Sequence, residues 1–240
     1  MTNNEFKEWA QGFSGCDGGN PSGRIWLCGI EFGGGHTEKT LIYDDVTKPP
    51  CITNKDDFIR YPYNWKAIKL LAALNGRECA KYKTFFEEQS CFYEKSNYFK
   101  LNLYPIGFKD TAHHRWGDWI ILKTGFATKL QYLDWCKENR FPVLRRWLVQ
   151  YSPRLVLCTG VTRRGEFRSA FGDGTEKVIE GKAGGKDFNY FLTNDRKTMV
   201  ATVYFLGGKY GLGSDDQLAA TGKQLASVLY EEYGSSWMSA

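Results

Sequence analysis

The sequence predicts an α/β fold, a three-layer α/β/α sandwich around a central four-stranded, mainly parallel sheet. Four apolar runs, at residues 25–30, 98–104, 154–160 and 198–205, lack internal breakers and are typical of strands buried on both faces. Segments with helical periodicity lie between these runs, as right-handed crossovers between parallel strands require. Together the runs and crossovers indicate one layered domain spanning residues 1–240.

The elements before the third strand follow from local signals. Residues 4–11 predict a short helix, and the glycine-rich residues 14–23 predict a loop. Asn64 is expected to cap a crossover helix that runs to Leu74. Residues 108–126 show too little periodicity for an assignment, and we interpret them as an insertion near the site.

Local sequence signals also predict the helices and strands of the second half of the chain. Helices are expected from Lys129, from Phe141-Pro142, and around Phe167. Residues 177–180 and 188–192 predict a β-hairpin. Ser214 with Gln217 three residues later forms a capping-box pattern that opens the last helix.

Composition narrows the class of protein. The 240 residues include 16% aromatics and carry a net charge of +5, which is compatible with a polyanionic partner without proving one. The seven cysteines are scattered without a C-x-x-C pair, which disfavours a disulfide framework and a zinc site, so no metal or other cofactor is expected. No apolar run reaches about 18 residues and no signal peptide is evident. We therefore expect a cytoplasmic, non-membrane protein, with a monomer favoured and the oligomeric state open.

The candidate site lies where the predicted strands end. The first strand runs directly into Glu31 and three glycines, residues 33–35. Asn102 closes the second strand, and the fourth runs into a second glycine-rich loop, residues 207–213. Because ligands bind outside the carboxyl ends of parallel strands, these segments are expected to meet on one rim. A flexible turn with a solvated glutamate is the alternative interpretation of the first segment.

Three short stretches at this rim resemble motifs of the uracil-DNA glycosylase superfamily. Gly29-Ile30-Glu31-Phe32-Gly33-Gly34 is similar to its first motif, with Phe32 in place of the usual proline. Leu101-Asn102-Leu103-Tyr104-Pro105 is similar to the strand end that carries its base-reading asparagine. Phe205-Leu206-Gly207-Gly208 stands where many members have a His-Pro-Ser stretch, and it contains no histidine.

The resemblance implies roles for these residues. Glu31 would activate the water and stabilise the sugar cation, and Asn102 would read a flipped base. The backbone of Gly207 and Gly208, with Lys209, would supply the donors that the absent histidine does not. A connecting loop is the alternative for that segment, and a turn former is the alternative for Asn102.

Further residues are assigned by position. The predicted wedge into the base stack is Tyr210 or Leu212. Candidate base contacts are Phe32, Gly33, Gly34, Tyr63 and His36, although His36 as a solvated loop residue and Tyr63 as packing beneath the site are simpler alternatives. Candidate phosphate contacts are His113, His114, Arg115, Arg163 and Arg164.

The resemblance therefore implies a monofunctional DNA glycosylase that flips a base from double-stranded DNA and leaves an abasic site. The superfamily that the chain resembles includes phage-defence enzymes that excise glucosylated hydroxymethylcytosine of phage DNA, which implies antiviral defence. The glycine-rich first motif and the absent histidine favour that substrate class over uracil or deaminated purines. Two alternatives stay open. One is a catalytically inactive nucleic-acid-binding protein on the same scaffold, and the other is a nucleoside or nucleotide hydrolase.

Overall fold

The computed structural model describes residues 3–44, 46–52, 54–108, 116–235 and 237–238. Its strands are β1 (Cys16–Gly19), β2 (Ile25–Gly29), β3 (Tyr98–Asn102), β4 (Leu155–Thr159), β5 (Ile179–Ala183), β6 (Lys186–Thr193) and β7 (Thr198–Val203). Its α-helices are α1 (Asn4–Gln11), α2 (Lys55–Ile59), α3 (Pro62–Leu74), α4 (Tyr82–Glu88), α5 (Asp118–Thr124), α6 (Lys129–Trp135), α7 (Phe141–Tyr151), α8 (Arg164–Phe171) and α9 (Asp215–Tyr233).

The strands form one mixed seven-stranded sheet in the order β1-β3-β2-β4-β7-β6-β5. The four predicted strands are its parallel centre, because β3, β2, β4 and β7 pair in parallel. The prediction of a four-stranded sheet is wrong in its count. The β5–β6 hairpin joins β7 antiparallel, and β1 joins β3 antiparallel at the other edge.

Strand β1 was predicted to be a loop, because its sequence Cys-Asp-Gly-Gly has the composition of a turn. The strand is irregular: Cys16 pairs with Leu101 and Gly18 pairs with Lys100, so Asp17 is an extra residue between them. Gly19 has a φ of +99°, and a side chain there would overlap the carbonyl of Tyr98. Glycine therefore permits β1 to pair closely with β3, although the sequence of β1 has no β-propensity pattern that would predict a strand.

Helices cover both faces of the sheet. Alternate strand residues point to opposite faces, so Leu27 joins the apolar cluster with α3 and α9, whereas Trp26 joins the one with α1, α7 and α8. Both clusters are buried, which explains why β2 and β4 are almost entirely apolar rather than alternating. The α/β class and the layered arrangement follow from this pattern.

Helix α3 begins earlier than predicted. Tyr61 is its N-cap and Pro62 is in its first turn, so Asn64 lies inside the helix rather than capping it. The Asn64 amide donates instead to the carbonyl of Phe58, 2.8 Å away, and ties α2 to α3. The predicted capping box of α9 is confirmed, with Ser214 and Gln217 in reciprocal contact.

The buried Arg140 holds the loop between α1 and β1 in place. It ends a five-residue π-helical turn, Cys136–Arg140, between α6 and α7. Its guanidinium donates to the carbonyls of Leu103 at 2.8 Å, Ala10 at 2.5 Å and Ser14 at 2.5 Å. One side chain thus fixes the chain between α1 and β1 against the end of β3.

None of the helices in the described part of the chain combines the length and apolar character needed to cross a bilayer.

Candidate functional site

A cavity of about 300 Å³ opens at the carboxyl ends of β2 and β3. Its wall combines charged, amide and aromatic side chains with bare backbone: Asp17, Gly29, Ile30, Glu31, Phe32, Gly33, Tyr63, Lys100, Asn102, Phe108 and Phe205. The predicted residues Glu31, Phe32, Gly33, Tyr63 and Asn102 therefore come together in one place. A partly enclosed cavity with few polar groups is the usual form of a small-molecule or base site.

Glu31 follows β2 in a loop that is held to the segment after β3. The amides of Leu103 and Tyr104 donate to the carbonyls of Gly29 and Ile30, at 3.0 and 2.9 Å. The parallel pairing thereby continues past the strand ends and fixes the start of the loop. Glu31 therefore lies at the cavity wall.

The Glu31 carboxylate is paired with a lysine from another element. Its Oε2 lies 3.4 Å from Nζ of Lys129 in α6, and their side chains are 8% and 2% exposed. The same ammonium lies 3.8 Å from the ring centroid of Phe108. Burial makes this charge pair strong and its orientation defined, so the carboxylate is held at one place in the cavity.

Asn102 ends β3 with its side chain fixed. Its Nδ2 donates to the carbonyl of Gly15 at 3.0 Å and lies 3.4 Å from Oδ2 of Asp17. Its Oδ1 packs against Gly29, where a Cβ atom would overlap it. Glycine at position 29 is therefore needed to seat this amide in the cavity.

Lys100 and Asp17 add a second charge pair to the same wall. Lys100 lies two residues before Asn102 on β3, so both side chains point to one face of the sheet. Its ammonium is ion-paired with Asp17 Oδ2, with side-chain exposures of 8% and 18%. Two buried ion pairs thus flank one cavity.

Aromatic rings form the remaining wall. Tyr63, from the first turn of α3, shares a 2.8 Å hydrogen bond with Thr159 at the end of β4. Burial raises the pKa of Tyr63 well above its usual value, so the phenol stays protonated. Its ring lies 5.5 Å from that of Phe205, which follows β7. The rings give a flat ligand faces to stack on.

A larger cavity of about 640 Å³ adjoins the first. The two share five wall residues: Asp17, Phe32, Gly33, Tyr63 and Lys100. Gly34 lines only the larger one, beside α2 and the start of α3. The predicted glycines are exposed and leave this side open.

His36 does not line the first cavity. Its Nδ1 accepts a hydrogen bond from the Gly107 amide at 2.8 Å, and its own amide donates to the Gly107 carbonyl at 2.8 Å. Burial lowers the pKa of His36, which favours the neutral ring that this acceptor role requires. His36 therefore links the loop after β2 to the loop after β3 through two hydrogen bonds with Gly107.

The loop after β7 contributes Phe205 to the cavity, whereas Gly207, Gly208 and Lys209 lie outside its wall. Tyr210 is 75% exposed, with Lys209 5.7 Å from its ring. Leu212 is 1% exposed and belongs to the core under α9. A buried leucine cannot enter a base stack, so the prediction of Leu212 as a wedge is wrong in this conformation and Tyr210 keeps that role as a prediction.

The predicted phosphate contacts are only partly placed. Arg163 and Arg164 follow β4, but Arg163 is engaged with Glu166 at 2.7 Å. His113, His114 and Arg115 lie outside the described residues. The phosphate-binding roles of all five stay predictions.

Sequence reasoning missed Lys100, Asp17, Lys129 and Phe108. Only Lys100 carried a usable signal, because a lysine two residues before Asn102 in an apolar strand must share its buried face. Among the described residues, no group of His, Cys, Asp and Glu side chains is arranged to hold a metal ion. The arrangement can place a carboxylate, an amide and an ammonium around one flat ligand.

No protein-family model matches the chain, and no curated protein matches it.

Proposed function

We propose that this protein is a DNA glycosylase of the uracil-DNA glycosylase type, which hydrolyses the N-glycosidic bond of a flipped base and leaves an abasic site. One observation carries the proposal. Glu31, two residues after the end of β2, and Asn102, at the end of the neighbouring parallel strand β3, lie in the wall of a single aromatic-lined cavity. That pairing supplies the two groups that base excision needs, one for the sugar and one for the base.

The chemistry assigns Glu31 to the sugar. As the C1′–N bond breaks, its electron pair leaves with the base and positive charge develops on the sugar ring. A fixed carboxylate stabilises that charge electrostatically and orients the water that adds to C1′. The Lys129 contact keeps this carboxylate in place, because a buried ion pair defines the position of both partners.

Asn102 and the rings act on the base. The Asn102 Nδ2 donates to Gly15 and Asp17, so its Oδ1 is the atom offered to the base, as an acceptor for a donor on the polar edge of a pyrimidine. Tyr63 and Phe205 provide the apolar surface on which the base stacks. Outside the cavity, exposed Tyr210 fits the role of the group that fills the space left in the duplex.

The substrate class that we favour is a base with a bulky polar substituent, such as glucosylated hydroxymethylcytosine in phage DNA. The larger cavity adjoins the base site at the exposed Gly33, and Gly34 lines the larger one, which gives a substituent space to lie in. Excision of such a base would make the protein an antiviral defence enzyme.

A free nucleotide is a poorer fit. Among the described wall residues of the base cavity, Lys100 is the single cation, against the two carboxylates of Asp17 and Glu31. Both carboxylates are paired with lysines, so the cavity carries no excess positive charge with which to hold several phosphate groups. Phosphates are better accommodated outside, as in a polymer whose base alone enters.

The test is abasic-site formation by Glu31→Gln. Protein is incubated with phage DNA containing glucosylated hydroxymethylcytosine, with uracil-containing DNA and with plasmid DNA, and alkali-labile strand breaks are counted. We expect breaks in the modified DNA with the wild type and a loss of at least about 100-fold in Glu31→Gln. DNA affinity should stay within a few-fold.

The matched control is Glu38→Gln, which removes the same charge from an exposed position in the same loop. It should retain full activity. Equal activity of wild type and Glu31→Gln would exclude the mechanism, and DNA binding without strand breaks in any substrate would favour the inactive binding protein. Release of base from free nucleotides without DNA would favour the hydrolase.

A further inference from the structure

A departing base needs a group that stabilises its negative charge, and the predicted donors, Gly207, Gly208 and Lys209, do not line the cavity. When the glycosidic bond breaks, the base leaves with the bonding electron pair and carries negative charge over its ring nitrogens and oxygens. The glycine loop and Lys209 lie outside the cavity wall. Lys100 lies in that wall, beside the amide of Asn102.

The backbone is built to hold Lys100 there. Asp17 is the extra residue of the β1 irregularity, between Cys16 and Gly18, and Gly18 is the partner of Lys100 on β3. Such bulges redirect a side chain, and here Asp17 Oδ2 contacts both the Lys100 ammonium and Asn102 Nδ2, the latter at 3.4 Å. The ammonium and the base-reading amide are therefore neighbours on one carboxylate oxygen.

The buried surroundings of Lys100 strengthen the electrostatic interactions of its ammonium. Lys100 is 6% exposed, and its ammonium lies 5.3 Å from the ring centroid of Tyr63 and 5.5 Å from that of Phe58. Away from water, an electrostatic interaction is several times stronger than at the surface. An ammonium has three donors, and Asp17 is its hydrogen-bonding partner within the described chain. Donors remain for a ligand.

We propose that Lys100 is a catalytic residue that stabilises the departing base, in the place of the missing histidine, and that Asp17 is the residue that positions it. The inference rests on the proposed glycosylase function. The C1′–N bond breaks, its electron pair stays on the base, and the ammonium donates a hydrogen bond to the anion. Water adds to C1′ and releases its proton to solvent, while the base takes a proton from solvent.

The experiment compares single-turnover excision from DNA containing glucosylated hydroxymethylcytosine. Lys100→Met combined with Asp17→Asn removes both charges without leaving either buried alone, because an unpaired buried charge is itself destabilising. We expect a rate loss of about 100- to 1000-fold with DNA affinity within a few-fold. Lys100→Arg should recover part of the rate, because it keeps the cation on a head group of different shape. Asp17→Asn alone should lose less than the double variant, because the ammonium remains but its positioning carboxylate does not.

The matched control is Lys69→Met with Asp215→Asn, which removes an ion pair of 2.7 Å between α3 and the start of α9. It should leave the rate unchanged. An unimpaired Lys100→Met/Asp17→Asn variant, or a loss that Arg does not recover, overturns the role of Lys100 while the glycosylase function stands. Should the double variant not fold, Lys100→Gln, which keeps a donor for Asp17, is measured instead, and an unimpaired rate in that variant overturns the role equally. Absence of strand breaks with the wild type removes the proposed function and this inference with it.

Discussion

Replacing Gly29 by alanine tests whether the Asn102 amide must occupy its observed place. Gly29 ends β2, and an added methyl would overlap Oδ1 of Asn102 and lie 3.5 Å from the Tyr63 hydroxyl. Carbon and oxygen need about 3.3–3.6 Å, so the amide must move by about 1 Å. That movement stretches the 3.0 Å bond from Nδ2 to the Gly15 carbonyl.

The expected cost has two parts. Overpacking and the weakened hydrogen bond should lower the free energy of unfolding by about 1–3 kcal/mol. Misplacement of the base by about 1 Å should lower excision about 100-fold, equivalent to about 2.7 kcal/mol in the barrier. The loss of stability does not account for the loss of excision rate, because the folded fraction of the variant stays near one.

The assays are urea denaturation and single-turnover formation of alkali-labile sites in modified phage DNA. Gly165→Ala is the control, since a methyl on that glycine of α8 meets nothing within 4 Å. It should keep full activity and gain slightly in stability. Excision by Gly29→Ala within threefold of the wild type, despite reduced stability, would refute the role of the fixed amide.

Two further predictions concern stability. Arg140→Met should lower the free energy of unfolding in urea by at least about 3 kcal/mol, because it leaves the buried carbonyls of Leu103, Ala10 and Ser14 without their donor; a loss under about 1 kcal/mol would contradict this. Burial holds the pKa of His36 below 6.5, so the unfolded chain binds the additional proton and stability should fall as pH decreases below about 6.5. His36→Asn, whose Oδ1 preserves an acceptor for the Gly107 amide, should flatten that pH dependence of the urea midpoint, and an unchanged slope would assign it to other groups.

Local sequence signals determined the centre of the fold. The continuous apolar runs predicted β2, β3, β4 and β7 within a residue or two, and strand ends placed Glu31 and Asn102 at one edge. The capping box predicted where α9 begins. These features depend on neighbouring residues, which is why a sequence displays them.

The tertiary structure alone decided how the site is completed. Lys129 reaches Glu31 across 98 positions and Lys100 reaches Asp17 across 83, and no local periodicity records such pairs. The edge strand β1 is built from glycine and a bulge, so its pairing depends on the neighbour β3 rather than on its own propensity. Leu212 is a candidate wedge by sequence, whereas in the structure it is buried in the core. Exposure is a property of the packed chain and not of the residue type.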